Sequence, residues 1–159
     1  MASAKKQKTR KRSKHPYEYF SVAADVMALR HGVGGYEVLL IQRKNPPFQH
    51  HWALPGGFLD RDEDAVTAAR REFKEEAGLN AKSLVEFGSF SDPDRDPRGR
   101  CVTISFYTLV KGKGSSAVAG DDAGALRWFR VSRLPPLAFD HREMIQQGWK
   151  KFLGDSKKK

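Results

Sequence analysis

The sequence predicts an α/β fold, a mixed sheet with helices packed on it. Three observations carry this. Strand-like apolar runs occur in pairs, a segment with helical apolar spacing lies between them, and the order reads strand, strand, loop, helix, strand, strand, loop, strand, helix. The 159 residues, 39% of them apolar, are enough for one globular core and short for two.

Residues 1–16 are a basic tail too poor in apolar residues to offset ordering entropy, and are expected to be disordered. The folded domain is expected over 17–153, followed by a short basic tail at 154–159. Within the domain, YFSVAADVMALR (19–30) reads as a strand, HGVGG (31–35) as a glycine-rich turn and YEVLLIQRK (36–44) as the second strand of a hairpin. NPPFQHHWALPGG (45–57) reads as a loop, long enough inside a compact domain to suggest function. Ala65, Ala68, Ala69 and Phe73 then fall on one helical face, and Gly78 supplies a stop. A helix is expected over about 62–77, with Glu63 at its positive dipole end. SLVEFGSF (83–90) and CVTISFYTLV (101–110) read as strands flanking the polar loop SDPDRDPRGR (91–100). A loop at 111–124, a strand at 125–131 and a final helix at about 141–153 complete the order. Asp140 is the expected cap of that helix, with Met144, Ile145 and Phe152 on its inner face.

The formal charge of +10 suggests a nucleic-acid binder until it is divided by segment. The two ends, 1–14 and 150–159, contribute +11, and residues 15–149 have a net charge of −1. A uniformly cationic binding domain is thereby disfavoured; a weak polyanion contact through the tails stays open. No stretch approaches the roughly 18–20 apolar residues of a membrane-spanning helix, and the first residues hold no apolar run that could serve as a signal peptide. A cytoplasmic protein is the expectation. Cys101, the only cysteine, excludes an intramolecular disulfide and reads as a buried structural thiol.

The chemistry concentrates in RREFKEEAGL. Positions i, i+3 and i+4 share a helical face, so Glu72, Glu75 and Glu76 converge within one turn. Three carboxylates that close repel one another, and Arg71 neutralises only part of their charge. Carboxylate oxygens are preferred ligands of Mg²⁺ or Mn²⁺, cations that also bind phosphate oxygens. A solvated charged face is the alternative. The glycines at 56 and 57 mark a tight turn where backbone can expose a carbonyl or approach a ligand closely.

From Gly57, five residues lead to Glu63, and seven more to Arg71-Glu72-Phe73-Lys74-Glu75-Glu76-Ala77-Gly78-Leu79. This spacing fills every fixed position of the Nudix box, G-x(5)-E-x(7)-R-E-U-x-E-E-x-G-U, where U is apolar. From about Tyr19 to Phe152 the chain resembles a Nudix hydrolase. The resemblance implies an α/β/α sandwich around a mixed central sheet, and divalent-metal-dependent cleavage of a diphosphate linked to another moiety. It implies Glu72, Glu75, Glu76 and the Gly56 carbonyl as metal ligands, Glu63 as a lesser one, and Arg71 as the residue orienting the carboxylates. Family members differ in their general base. Glu72 is expected as ligand or base, with Asp121 or Asp122, on a late loop, as auxiliary.

SDPDRDPRGR, with WALPGG upstream and LAFDHREMI downstream, resembles the ADP-ribose pyrophosphatase group, and also Nudix domains fused to an adenylyltransferase or to a DNA-binding regulator. Many ADP-ribose hydrolases carry a proline at a set distance beyond the box; Pro93 and Pro97 bracket that position without matching it. The resemblance implies hydrolysis of ADP-ribose to AMP and ribose 5-phosphate. Two readings compete with it: turnover of another nucleoside diphosphate derivative (an oxidised nucleotide, a dinucleoside polyphosphate or NADH), and a non-catalytic ADP-ribose sensor. Chemically, Arg95, Arg98 and Arg100 can pair with phosphate, and Asp92, Asp94 or Asp96 with ribose hydroxyls. Phe48, Trp52 and Phe90 could stack on adenine. Arg43 is placed to reach the diphosphate or to form a sheet-edge ion pair. Asp92, Asp94 and Asp96 mimic the start of a calcium-binding loop, but Pro97 stands where that loop needs glycine. Many relatives are homodimers, so a homodimer is a further implication.

Overall fold

The computed structural model describes residues 19–111 and 123–158. Asp121 and Asp122 lie outside the described residues, as does the N-terminal tail. The elements in chain order are β1 (Ser21–Gly32), β2 (Gly35–Arg43), β3 (Trp52–Ala53), β4 (Gly56–Phe58), α1 (Ala65–Ala77), β5 (Val85–Phe90), β6 (Cys101–Leu109), β7 (Ala123–Arg130) and α2 (His141–Ser156).

β1 and β2 form the expected hairpin, but they pair only near its tip, from Leu29 opposite Val38 to Gly32 opposite Gly35. Below that the two strands part, and the segment expected to be loop supplies two short strands that fill the fork. β4 pairs with β1, setting Asp25 opposite Gly56, and β3 pairs with β2, setting Ile41 opposite Ala53. On the far edge of β1, β6 runs parallel from Ser21 opposite Cys101 to Leu29 opposite Leu109, and β5 pairs antiparallel with β6. β7 closes the outer edge of β2. The sheet is mixed, as expected.

Alternation along β1 divides the core in two. Ala24, Val26 and Ala28 face α1, where Ala68, Ala69, Phe73 and Ala77 pack against them. Met27 and Leu29 face α2, together with Met144, Ile145 and Phe152. One helix on each face gives the α/β/α sandwich. Asp25 shares the parity of Met27 and Leu29, which puts a carboxyl on the α2 face.

Helix α1 begins at Ala65, three residues later than expected. Asp64 is its cap, with Oδ1 accepting the Thr67 N–H at 2.8 Å. Glu63 therefore lies outside the helix, where it accepts the Asp60 N–H at 2.8 Å. Gly78 ends the helix in a left-handed conformation, as the sequence predicts. At the other end of the chain, α2 runs past Gly154 to Ser156. Asp155 holds that last turn to the sheet by accepting the Tyr107 hydroxyl at 2.8 Å.

Asp140 precedes α2 without capping it. Its side chain makes no cap hydrogen bond and turns to Arg95 instead. The segment before it docks on β3, where the Trp52 N–H donates to the Pro136 carbonyl and the Ala138 N–H donates to the Trp52 carbonyl. This anchoring delivers Phe139, Asp140 and His141 to the fork between β1 and β2. Among the described residues, no helix is long and apolar enough to cross a membrane.

Candidate active site

A cleft of about 400 Å³ opens at this fork, bounded by β1, β4, the outward face of α1, the loop at 91–100 and the start of α2. Its carboxylate end is organised by Arg71. The guanidinium donates to Glu63 through Nε (3.1 Å) and Nη2 (2.5 Å), to Glu72 through Nη1 (2.7 Å) and to the Phe58 carbonyl through Nη2 (3.1 Å). Glu75 is further away, at 3.4 Å, and its side chain is 59% exposed. These contacts hold Glu63 below the usual carboxylate range, the hydrogen bond from Arg71 being the main cause. Glu76 leans the other way and accepts the Gly56 N–H through Oε2 at 2.8 Å.

The two glycines are required by close approach. A Cβ on Gly57 would lie 2.4 Å from the Glu72 Cδ, so that carboxylate rests directly on the turn. A Cβ on Gly56 would meet the Ala24 carbonyl at 2.4 Å and the Asp25 Cα at 2.7 Å, which is strand backbone that cannot yield without opening the β1–β4 pair. Glu72, Glu76 and the Gly56–Gly57 backbone are thus brought together at one end of the cleft. Arg71 and the Gly56 N–H hold the carboxylates apart; among the described residues no three His, Cys, Asp or Glu side chains form a ready-made cation cage. The donor set is entirely oxygen and strongly anionic, which suits a hard divalent cation.

The opposite wall is cationic and aromatic. Arg98 is tied to Asp96 by Nε–Oδ1 (3.0 Å) and Nη2–Oδ2 (2.7 Å) hydrogen bonds, and its guanidinium faces both Phe58 (5.1 Å) and Phe139 (5.4 Å). Arg43 donates through Nε to the Pro47 carbonyl at 2.8 Å and lies 4.9 Å from the Phe139 ring centre; among the described residues it forms no ion pair. Burial, then the neighbouring Arg98 charge, lowers its pKa. Two guanidinium groups thus share one wall of the cleft, Arg98 with its charge partly met by Asp96. Phe139 presents its ring from a left-handed backbone at φ 49°, an uncommon conformation for a bulky residue. Phe48 packs edge-on against it at 4.8 Å.

Three sequence-derived assignments change. Arg95 borders the cleft, but its guanidinium is engaged within the protein: the side chain is 5% exposed, donates to both Asp140 oxygens (2.8 and 2.6 Å) and reaches the Thr103 Oγ1 at 2.6 Å. Trp52 packs against Phe129 at 4.7 Å in the α2-side core, and Phe90 is buried in the same core; neither lines the cleft. Strand parity turns both rings to that face. Asp96 does border the cleft, with its carboxylate satisfied by Arg98. Burial alone would raise its pKa, but the hydrogen bonds from Arg98 prevail and lower it. Cys101 is buried as expected.

The cleft floor holds residues that sequence reasoning passed over. Asp25 is pushed up to about 7 by burial, against the opposing pull of Arg95. His141 is pushed down to about 4, also by burial, and its Nδ1 accepts the Leu54 N–H at 2.9 Å. One signal for Asp25 was available: a lone acid inside the apolar run of β1.

The NUDIX domain model matches residues 20–148, most of the described chain. The chain belongs to the Nudix family. An ADP-ribose pyrophosphatase of Methanocaldococcus jannaschii is 46% identical over 110 residues, covering 69% of this Nudix chain. The chain spans only 64% of that relative's own length. Among solved structures, a MutT/nudix family protein from Enterococcus faecalis superposes with a TM-score of 0.79 at 33% identity, covering 90% of this chain and 66% of its own. The NUDIX domain of Shewanella oneidensis NrtR, in a cocrystal structure with ADP ribose, superposes with a TM-score of 0.78 at 25% identity, covering 89% and 94%.

Proposed function

We propose that this chain hydrolyses the diphosphate of ADP-ribose to AMP and ribose 5-phosphate, using Mg²⁺ or Mn²⁺. One observation carries the reading: Glu72 and Glu76 of the carboxylate box face, across one cleft, two arginines set over aromatic rings. Such a cleft suits a molecule with an anionic centre and a planar end. The pyrophosphatase relative and the ADP-ribose-bound neighbour support the choice of substrate.

Glu72, Glu75, Glu76 and the Gly56 carbonyl would hold the cation, with Glu63 a lesser contributor through its bond to Arg71. The cation supplies charge neutralisation of the diphosphate and acidification of water. Arg71 keeps the carboxylates oriented. Arg43 and Arg98 receive the diphosphate oxygens, and Phe58 and Phe139 offer faces to the base. Water adds its oxygen to one phosphorus while the bridging P–O bond breaks, and Glu72 takes the water proton. Asp121 and Asp122 are retained as auxiliary bases. In the test, purified protein with Mg²⁺ releases AMP from ADP-ribose, and chelation or the Glu75→Gln/Glu76→Gln pair stops release with the melting temperature preserved. Turnover of another nucleoside diphosphate derivative, with none of ADP-ribose, overturns the substrate assignment. Tight ADP-ribose binding without cleavage would make the chain a sensor.

A further inference from the structure

Asp25 and His141 line the cleft floor, Asp25 against Gly56 of the carboxylate end, and neither has a role in the reading above. Asp25 is 7% exposed, and among the described residues no backbone or side-chain donor hydrogen-bonds its carboxyl. His141 Nε2 lies 3.8 Å from Oδ2, which is beyond hydrogen-bond reach. The tautomer of His141 is set by its other nitrogen. Nδ1 accepts the Leu54 N–H at 2.9 Å, so the ring proton is on Nε2.

An acceptor and a donor at that separation, both bordering the cleft, leave room for one atom about 2.8 Å from each. That atom must accept from Nε2–H and donate to the carboxyl. A phosphate oxygen only accepts and an ammonium only donates, so neither serves both groups. A hydroxyl does both. Its position along the substrate follows from the register: Asp25 faces Gly56 across the β1–β4 pair, so the site adjoins the diphosphate end. The group next to the diphosphate of a nucleoside diphosphate derivative is a sugar.

We propose that Asp25 and His141 jointly bind one hydroxyl of a sugar attached to the substrate diphosphate, making the enzyme select ribosyl over deoxyribosyl substrates. This rests on the diphosphate-hydrolase reading above.

The test measures kcat/KM for ADP-ribose and for analogues that each lack one ribose hydroxyl, in the wild type, Asp25→Ala and Asp25→Asn, with melting curves to establish folding. For one hydroxyl, the wild type should favour the parent by roughly ten- to hundredfold, as for a hydrogen bond to a charged group. Asp25→Ala should bring that ratio to near one, and Asp25→Asn, which keeps an acceptor oxygen, should retain part of it. Loss of the same factor on every analogue would make Asp25 a structural residue and overturn the proposal. A wild type indifferent to every hydroxyl overturns it without any variant. Absence of AMP release from ADP-ribose by the wild type would instead defeat the substrate assignment; the hydroxyl ratio is then read on whichever nucleoside diphosphate derivative the wild type cleaves, with its own deoxy analogues.

Discussion

Replacing Asp140 with alanine should destabilise the protein by about 3 kcal/mol. The substitution leaves the Arg95 guanidinium, whose side chain is 5% exposed, without the carboxylate that takes two of its hydrogen bonds. Removing one partner of a buried pair costs about 3–5 kcal/mol, chiefly because the survivor stays buried and charged. The Asp140 side chain is 19% exposed, which admits some solvent and places the cost at the lower end. At about 2–4 °C per kcal/mol for a chain of this size, the melting temperature should fall by roughly 6–12 °C. Urea denaturation followed by circular dichroism gives the free energy directly. The double variant Asp140→Ala/Arg95→Met removes both charges and should recover most of the loss, so the mutant cycle reports a large coupling energy. A single-variant cost below about 1 kcal/mol, typical of exposed pairs, would refute the structural role given to Arg95. So would a double variant no more stable than the sum of its parts.

A pH dependence follows from His141, which titrates near 4 in the folded protein against about 6.5 when unfolded. Between those values the unfolded chain binds a proton that the native His141 refuses, so this residue alone lowers stability as pH drops from 6.5 through 4, by up to about 3 kcal/mol, while Asp25, raised to about 7, takes up its proton first in the native state and opposes the trend. His141→Gln can still accept the Leu54 N–H and should remove the His141 share, so the variant's melting temperature should gain on the wild type's as pH falls from 7.5 to 4.5; parallel profiles would refute the assignment. The two glycines of the turn should respond oppositely. Gly57→Ala displaces only the end of the Glu72 side chain, so cation affinity should fall roughly ten- to hundredfold with little change in melting temperature. Gly56→Ala meets strand backbone and should lower the melting temperature by several degrees; calorimetric cation titration and melting curves separate the two, and equal stability losses would contradict the contacts described.

The parts legible in the sequence are those set by local pattern. The hairpin, α1 and β6 follow from apolar periodicity, and the carboxylate box follows from fixed spacing. Elements created by tertiary pairing were not visible: β3 and β4 are two and three residues long, and only β2 and β1 make them strands. End positions depended on single side chains. Three consecutive acids at 62–64 all suit a helix start, and only geometry selects Asp64 as the cap. Asp140 looked like a cap for the same reason, but Arg95, distant in sequence and adjacent in space, takes its carboxylate. Trp52 and Phe90 carry the right chemistry for stacking, on the wrong side of the sheet. The floor of the cleft needs residues 25 and 141 to meet, which no local pattern encodes.

The bond from the Leu54 N–H to His141 has a kinetic meaning. A chain made from its N-terminus completes β1 through α1, box included, well before residue 141 exists. The parallel pairing of Ser21 with Cys101 already demands closure of a long loop, a slow step. Until α2 docks, the sheet face bearing Met27, Leu29, Val38 and Leu40 is bare and adhesive. Closure of the cleft therefore arrives with the last helix, in the same event that covers this face, so nascent and partly folded chains carry the box without a complete cleft.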